Sequence, residues 1–124
     1  MPIGTVLIVD DSKTSRRLLR NILEKHNFEV LGEAENGEEG WLQFRKLNPD
    51  IITMDITMPK MDGIEALSLI HRDDAHAKVI MITAAGQKEK MVEAIRRGAY
   101  DFITKPLDEE KVIKVMIDAI EDGK

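Results

Sequence analysis

The feature that most constrains this chain is an alternation repeated five times. A short run rich in β-branched residues is followed each time by a longer amphipathic stretch of helical length. The short runs predict strands at residues 5–9, 29–34, 51–55, 78–83 and 101–104. The stretches between and after them predict helices at 13–25, 37–47, 64–72, 87–97 and 108–122. Three of the strand runs are continuously apolar, as expected of strands covered on both faces. In the last helix Val112, Val115, Met116, Ala119 and Ile120 follow the spacing of one buried face. Ser12 and Asp108 stand where N-caps of the first and last helices belong. Regular strand–helix alternation with right-handed crossovers leads to an α/β fold, a doubly wound parallel sheet with helices on both faces. At 124 residues the expectation is a single domain over 1–124.

Charge and composition narrow the function classes. Lys and Arg number 18 against 23 Asp and Glu, a formal net charge of −5. That balance disfavours a direct nucleic-acid partner, which usually meets a basic face. There is no Cys, hence no disulfide framework, thiolate metal site or Cys nucleophile. Met1-Pro2-Ile3-Gly4 has no charged leader, and the longest apolar runs fall far short of the roughly 20 residues a membrane helix needs. The expectation is a cytoplasmic protein with no membrane partner.

In a doubly wound sheet, ligands bind at the carboxyl ends of the strands. The first predicted strand ends in Asp10-Asp11, the third in Asp55, the fourth in Thr83-Ala84 and the fifth in Lys105-Pro106. Brought to one rim, three carboxylates repel and raise one another's pKa. A hard divalent cation relieves this, and Mg²⁺ prefers such oxygen ligands. With Lys105 beside it the pocket is neutral and suits a phosphoryl group, with an aspartate as nucleophile. Each piece alone has a plainer reading. An Asp pair can start a helix, Asp55 can be a turn residue, Thr83 can satisfy backbone groups, and Lys105 can sit in an exposed loop. The weight lies in their recurrence at successive strand ends.

Those residues carry a family resemblance. Val6-Leu7-Ile8-Val9-Asp10-Asp11-Ser12, Met54-Asp55-Ile56-Thr57-Met58-Pro59-Lys60-Met61-Asp62-Gly63, Met81-Ile82-Thr83-Ala84 and Gly98-Ala99-Tyr100-Asp101-Phe102-Ile103-Thr104-Lys105-Pro106 stand in the order and spacing of response-regulator receiver domains. The resemblance covers essentially the whole chain. It implies the flavodoxin-like receiver fold, five parallel strands in the order 2-1-3-4-5 known for that fold, with five helices. It implies Asp55 as phosphoacceptor from a histidine kinase, and Asp11, Asp55 and the Thr57 carbonyl as Mg²⁺ ligands, with Asp10 acting through water. It implies Lys105 and Thr83 on the phosphoryl oxygens, backbone donors at Thr57 and Ala84, and a cis bond before Pro106. Function then follows as a phosphorylation-activated switch. Thr83 moves inward, Phe102 at the switch-aromatic position follows, and the surface of the fourth helix, fifth strand and fifth helix changes. Phe102 also has a reading as plain core. Where the family often carries Tyr, Phe102 offers no hydroxyl to a partner.

The chain closes at Gly123-Lys124 after the fifth helix, so the expected output is contact with another molecule. Similarity is greatest to stand-alone chemotaxis regulators (CheY-like), which implies a chemotaxis kinase, the flagellar motor switch and a phosphatase as partners, and a monomer. A phosphorelay receiver and a fragment of a transcriptional regulator are the near alternatives. An aspartyl-nucleophile phosphatase needs a second Asp where Thr57 stands. A flavodoxin-like cofactor binder needs a phosphate-cradling loop where Asp10-Asp11 stand. The expectation is therefore a phosphoacceptor with self-phosphorylating and self-dephosphorylating chemistry only, not a turnover enzyme. His26, His71 and His76 show no metal spacing.

Overall fold

In the computed structural model, which describes residues 1–122, every predicted element forms. Gly123 and Lys124 lie outside the described residues. The strands are β1 (Gly4–Val9), β2 (Phe28–Ala34), β3 (Ile51–Asp55), β4 (Lys78–Thr83) and β5 (Asp101–Thr104). The helices are α1 (Lys13–Lys25), α2 (Gly37–Leu47), α3 (Gly63–Asp73), α4 (Lys88–Arg96) and α5 (Glu109–Asp122). All strands pair in parallel, in the order β2-β1-β3-β4-β5.

Strand side chains alternate between faces, and this splits the core in two. Leu7, Val9, Ile52, Met54, Val79 and Met81 face one way and meet Phe44 of α2, Leu67 and Ile70 of α3 and Ala94 of α4. Val6, Ile8, Ile51, Ile80, Ile82 and Ile103 face the other way and meet Leu19 and Leu23 of α1 and Val112 and Met116 of α5. On α5 the buried face is Val112, Met116 and Ala119, while Val115 and Ile120 are only partly buried beside Ile113 and Ile117. That apolar stripe is wider and shallower than the sequence pattern implies.

Local signals explain the helix starts. The Ser15 N–H donates to Ser12 Oγ (3.2 Å), the Glu39 N–H to Asn36 Oδ1 (2.9 Å), and the Glu65 N–H to Asp62 Oδ1 (2.9 Å). At α5 the Glu110 N–H donates to Asp108 Oδ1 (3.0 Å). Each such cap contributes about 1 kcal/mol. α4 differs: it begins at Lys88 rather than Gln87, and Gln87 makes no side-chain capping bond to it. Among the described residues no helix is long and apolar enough to cross a membrane.

Leu67 is fully buried between α3 and the sheet. Leu67→Ala is expected to cost roughly 2–5 kcal/mol, from lost transfer energy and the cavity left behind. In urea titration the midpoint falls and the slope is retained. An unchanged midpoint contradicts the packing described.

Candidate functional site

Because all five strands are parallel, their carboxyl ends share one rim, and four of them deliver the residues in question. Asp10 and Asp11 leave β1, Asp55 closes β3, Thr83 closes β4, and Lys105 follows β5. Carboxylate oxygens of Asp10, Asp11 and Asp55 all lie within 4.8 Å of one another. Lys105 Nζ stands 3.2 Å from Asp10 Oδ2 and 3.9 Å from Asp55 Oδ2. Asp10 and Asp55 are buried, whereas Asp11 is exposed at the mouth. The Lys105–Pro106 peptide bond is cis.

Burial and charge show directly on Asp55. Desolvation first, then the neighbouring Asp10 charge, push its carboxyl up to about 6, against the pull of Lys105. Three carboxylates and one ammonium leave a formal charge of about minus two. This donor set fits Mg²⁺, because a divalent cation with a preference for oxygen ligands would cancel that charge and favour the ionised form of Asp55.

Other residues hold the rim in shape. The Arg16 guanidinium, itself buried, donates through Nη1 to the Asp10 carbonyl (2.6 Å) and through Nε to Glu33 Oε1 (2.9 Å). Arg20 Nε donates to the other oxygen of Glu33 (2.7 Å). Burial raises the Glu33 carboxyl, but hydrogen bonds from Arg20 and Arg16 outweigh it and hold the pKa below the ordinary value. The end of β1 is thus tied to β2 by a charged clamp. The Ser12 N–H fixes Asp10 from the other side through Oδ1 (2.8 Å). Beneath Asp55, the first residue of α3 is Gly63, whose N–H donates to the Ile56 carbonyl (2.7 Å). A Cβ there would come within 2.1 Å of the Asp55 carbonyl oxygen.

Thr83 and Ala84 stand on the opposite side. The Thr83 hydroxyl lies 3.1 Å from both the Ala84 carbonyl and Gln87 Oε1. The plainer reading of Thr83, a hydroxyl satisfying local groups, therefore describes it in this state. Thr57 is exposed in the β3–α3 loop, and its hydroxyl accepts from Gln87 Nε2 (2.6 Å). Phe102 is 36% exposed, so its reading as plain core does not hold here. Two of the three histidines take structural places. His71 Nε2 and Nδ1 face the carbonyls of Ala77 and Arg97, and His26 Nε2 lies 2.7 Å from Glu109 Oε2. Sequence reasoning gave no role to Gly63, Arg16 or Gln87. A Gly opening a helix straight after the β3–α3 loop was the one available signal, for Gly63.

The family model for the response regulator receiver domain matches residues 6–117. The chain belongs to that family. It is 48% identical to the chemotaxis protein CheY of Listeria monocytogenes, over 90% of this chain and 93% of that one. It is 47% identical to CheY of Thermotoga maritima, over 90% and 92%. Among solved structures it is similar to the CheY in a CheX-CheY-BeF3-Mg²⁺ complex from Borrelia burgdorferi, with 42% identity, TM-score 0.87, and coverage of 92% of this chain and 87% of that one. The chain is thus a receiver domain of a CheY-like response regulator, a phosphorylation-activated switch.

Proposed function

We propose that Asp55 is the phosphoacceptor of this receiver domain and that Asp10, Asp11 and Asp55, with the Thr57 carbonyl, hold Mg²⁺. The observation that carries the reading is the convergence of three carboxylates within 4.8 Å, with Lys105 reaching two of them, at the ends of separate strands. When bound, Mg²⁺ supplies charge neutralisation for carboxylate and phosphoryl oxygens.

The chain's own residues do the rest. An ionised Asp55 oxygen attacks the phosphorus of a phosphohistidine on the partner kinase. The new P–O bond forms as the P–N bond breaks, and the imidazole leaves with the electron pair and takes up a proton. Lys105 offers an ammonium that can leave Asp10 for a phosphoryl oxygen, a charge-assisted contact. The Thr83 hydroxyl and the N–H groups of Ala84 and Thr57 offer neutral donors. Arg16 and Ser12 keep Asp10 in place while these bonds form.

The output is a change of surface. On this reading the charge gained on phosphorylation recruits Thr83, and Phe102, 36% exposed in the resting protein, turns inward as β4 and its loop adjust. The proposed partner of that surface is the flagellar motor switch, supported by the repeated match to chemotaxis proteins across most of the chain. The protein acts stoichiometrically, as a phosphorylated messenger rather than a turnover enzyme.

Incubation with Mg²⁺ and acetyl phosphate, followed by intact mass, is expected to show one added phosphoryl group. No mass increase with the metal in excess overturns the phosphoacceptor reading. Beryllofluoride-loaded protein is expected to bind a motor-switch peptide more tightly than the unloaded protein. Equal affinity removes the flagellar assignment and leaves the phosphoacceptor reading in place.

A further inference from the structure

The β4–α4 loop brings Gln87 back over the pocket instead of onto its own helix. Gly86 turns the chain there with φ +91°, a conformation open to glycine, and no atom lies within 4 Å of where its Cβ would be. The Gln87 amide then makes three bonds. Its Oε1 accepts from the Ala84 N–H (3.0 Å) and shares the single Thr83 hydroxyl proton with the Ala84 carbonyl, each at 3.1 Å, and its Nε2 donates to the Thr57 hydroxyl (2.6 Å). A backbone N–H can only donate, so the atom facing Ala84 must be the oxygen, which fixes the orientation of the amide.

This arrangement has a consequence for the switch. The donors satisfied by Gln87 Oε1 are those assigned above to a phosphoryl group on Asp55. A neutral amide oxygen occupies them in the unphosphorylated protein. Its other end ties the loop after β3 to the loop after β4, the two loops that flank the pocket. A depression of about 190 Å³ beside the β4–α4 loop, among Thr83, Ala84, Gln87, Met91 and Thr104, gives that loop room to rearrange.

We propose that Gln87 is an internal latch, whose side-chain amide holds Thr83, Ala84 and Thr57 in the resting state and must be displaced when Asp55 is phosphorylated. The inference rests on the phosphoacceptor reading. Phosphorylation exchanges the two bonds to Gln87 Oε1 for stronger bonds to an anion and breaks the bond to the Thr57 hydroxyl, so the latch sets a threshold on the switch. A ligand that needs the released state binds more weakly by the cost of releasing it. Gln87 is a positioning residue: it touches the switch hydroxyl and the backbone donor, not the reacting carboxylate.

The test compares wild type with Gln87→Ala, and with Gln87→Met, which keeps side-chain length and helix propensity but makes none of the three bonds. Two readouts are taken by NMR. The first is hydrogen exchange of the Ala84 amide in metal-free, unphosphorylated protein. The second is the affinity for beryllofluoride with Mg²⁺ in excess. In both variants the Ala84 amide is expected to lose protection while core amides keep theirs. Beryllofluoride is expected to bind about tenfold more tightly, equal to about 1.4 kcal/mol, the scale of one or two net hydrogen bonds. A residue that merely orders the loop would instead weaken binding when removed. Equal or weaker binding in both variants, or unchanged Ala84 exchange, overturns the latch while wild type still binds. If wild type itself binds no beryllofluoride, the phosphoacceptor reading fails and the latch falls with it.

Discussion

Asp55→Asn is expected to abolish phosphoryl uptake from acetyl phosphate at neutral pH and, in the metal-free protein, to raise stability. The first effect follows from chemistry: an amide oxygen at this position is a far weaker nucleophile than the carboxylate it replaces. The second follows from the pocket. In the fold the Asp55 carboxyl titrates near 6, pushed up by burial and by Asp10, whereas in the unfolded chain it titrates near its ordinary value of about 4. Between those values the native state binds more protons than the unfolded state. Stability therefore falls as pH rises through that window and stays at its lower level above it. Asn carries no charge and avoids the loss. With solvent screening at the rim allowed for, the gain is about 1–2 kcal/mol at pH 7–8, and it vanishes below about pH 4. Urea denaturation of both proteins across pH 4–8, with chelator present, measures it. Adding Mg²⁺ is expected to stabilise wild type more than the variant and narrow the gap, because only wild type presents all three carboxylates. A variant that takes up phosphoryl as wild type does, or a gap that grows toward acid pH, contradicts the assignment of Asp55.

Gly63→Ala is expected to damage fold and site together. The added Cβ would lie 2.1 Å from the Asp55 carbonyl oxygen and 3.0 Å from Met54 Cγ. Both belong to β3, a fully buried strand that cannot yield locally. Either α3 retreats and loses its bond to the Ile56 carbonyl, or β3 shifts and carries Asp55 with it. Overpacking of this kind costs about 1–3 kcal/mol. It also displaces Asp55 relative to Asp10, Asp11 and Lys105, where an error of about 1 Å can cost about a hundredfold in rate. Phosphoryl uptake measured in the remaining folded protein is expected to fall well beyond the loss of folded material. Gly86→Ala is the contrast, since space is open there and only the left-handed backbone is strained. If Gly63→Ala folds and reacts as wild type does, the α3–β3 contact does not set the position of Asp55.

Much of this molecule is written in local patterns. Apolar runs such as residues 79–82 and helical stripes such as Val112, Met116 and Ala119 declare their elements because periodicity is a property of adjacent residues. Parallel strands place their ends on one rim, so Asp10, Asp55, Thr83 and Lys105 could be grouped before any distance was known. The fold order came from family resemblance rather than periodicity, since periodicity carries no information about which strands are neighbours.

What the sequence determined, then, is the elements, their two-faced burial and the chemical groups offered at the strand ends. Tertiary structure alone decided how those groups are held. Arg16 reaches the Asp10 carbonyl, Gly63 seats beneath Asp55, Phe102 points toward solvent, and Gln87 turns away from its helix to take Ala84 and Thr57. These contacts depend on separations of a few tenths of an ångström between segments joined only through sheet register and helix packing, and no short-range pattern encodes such separations.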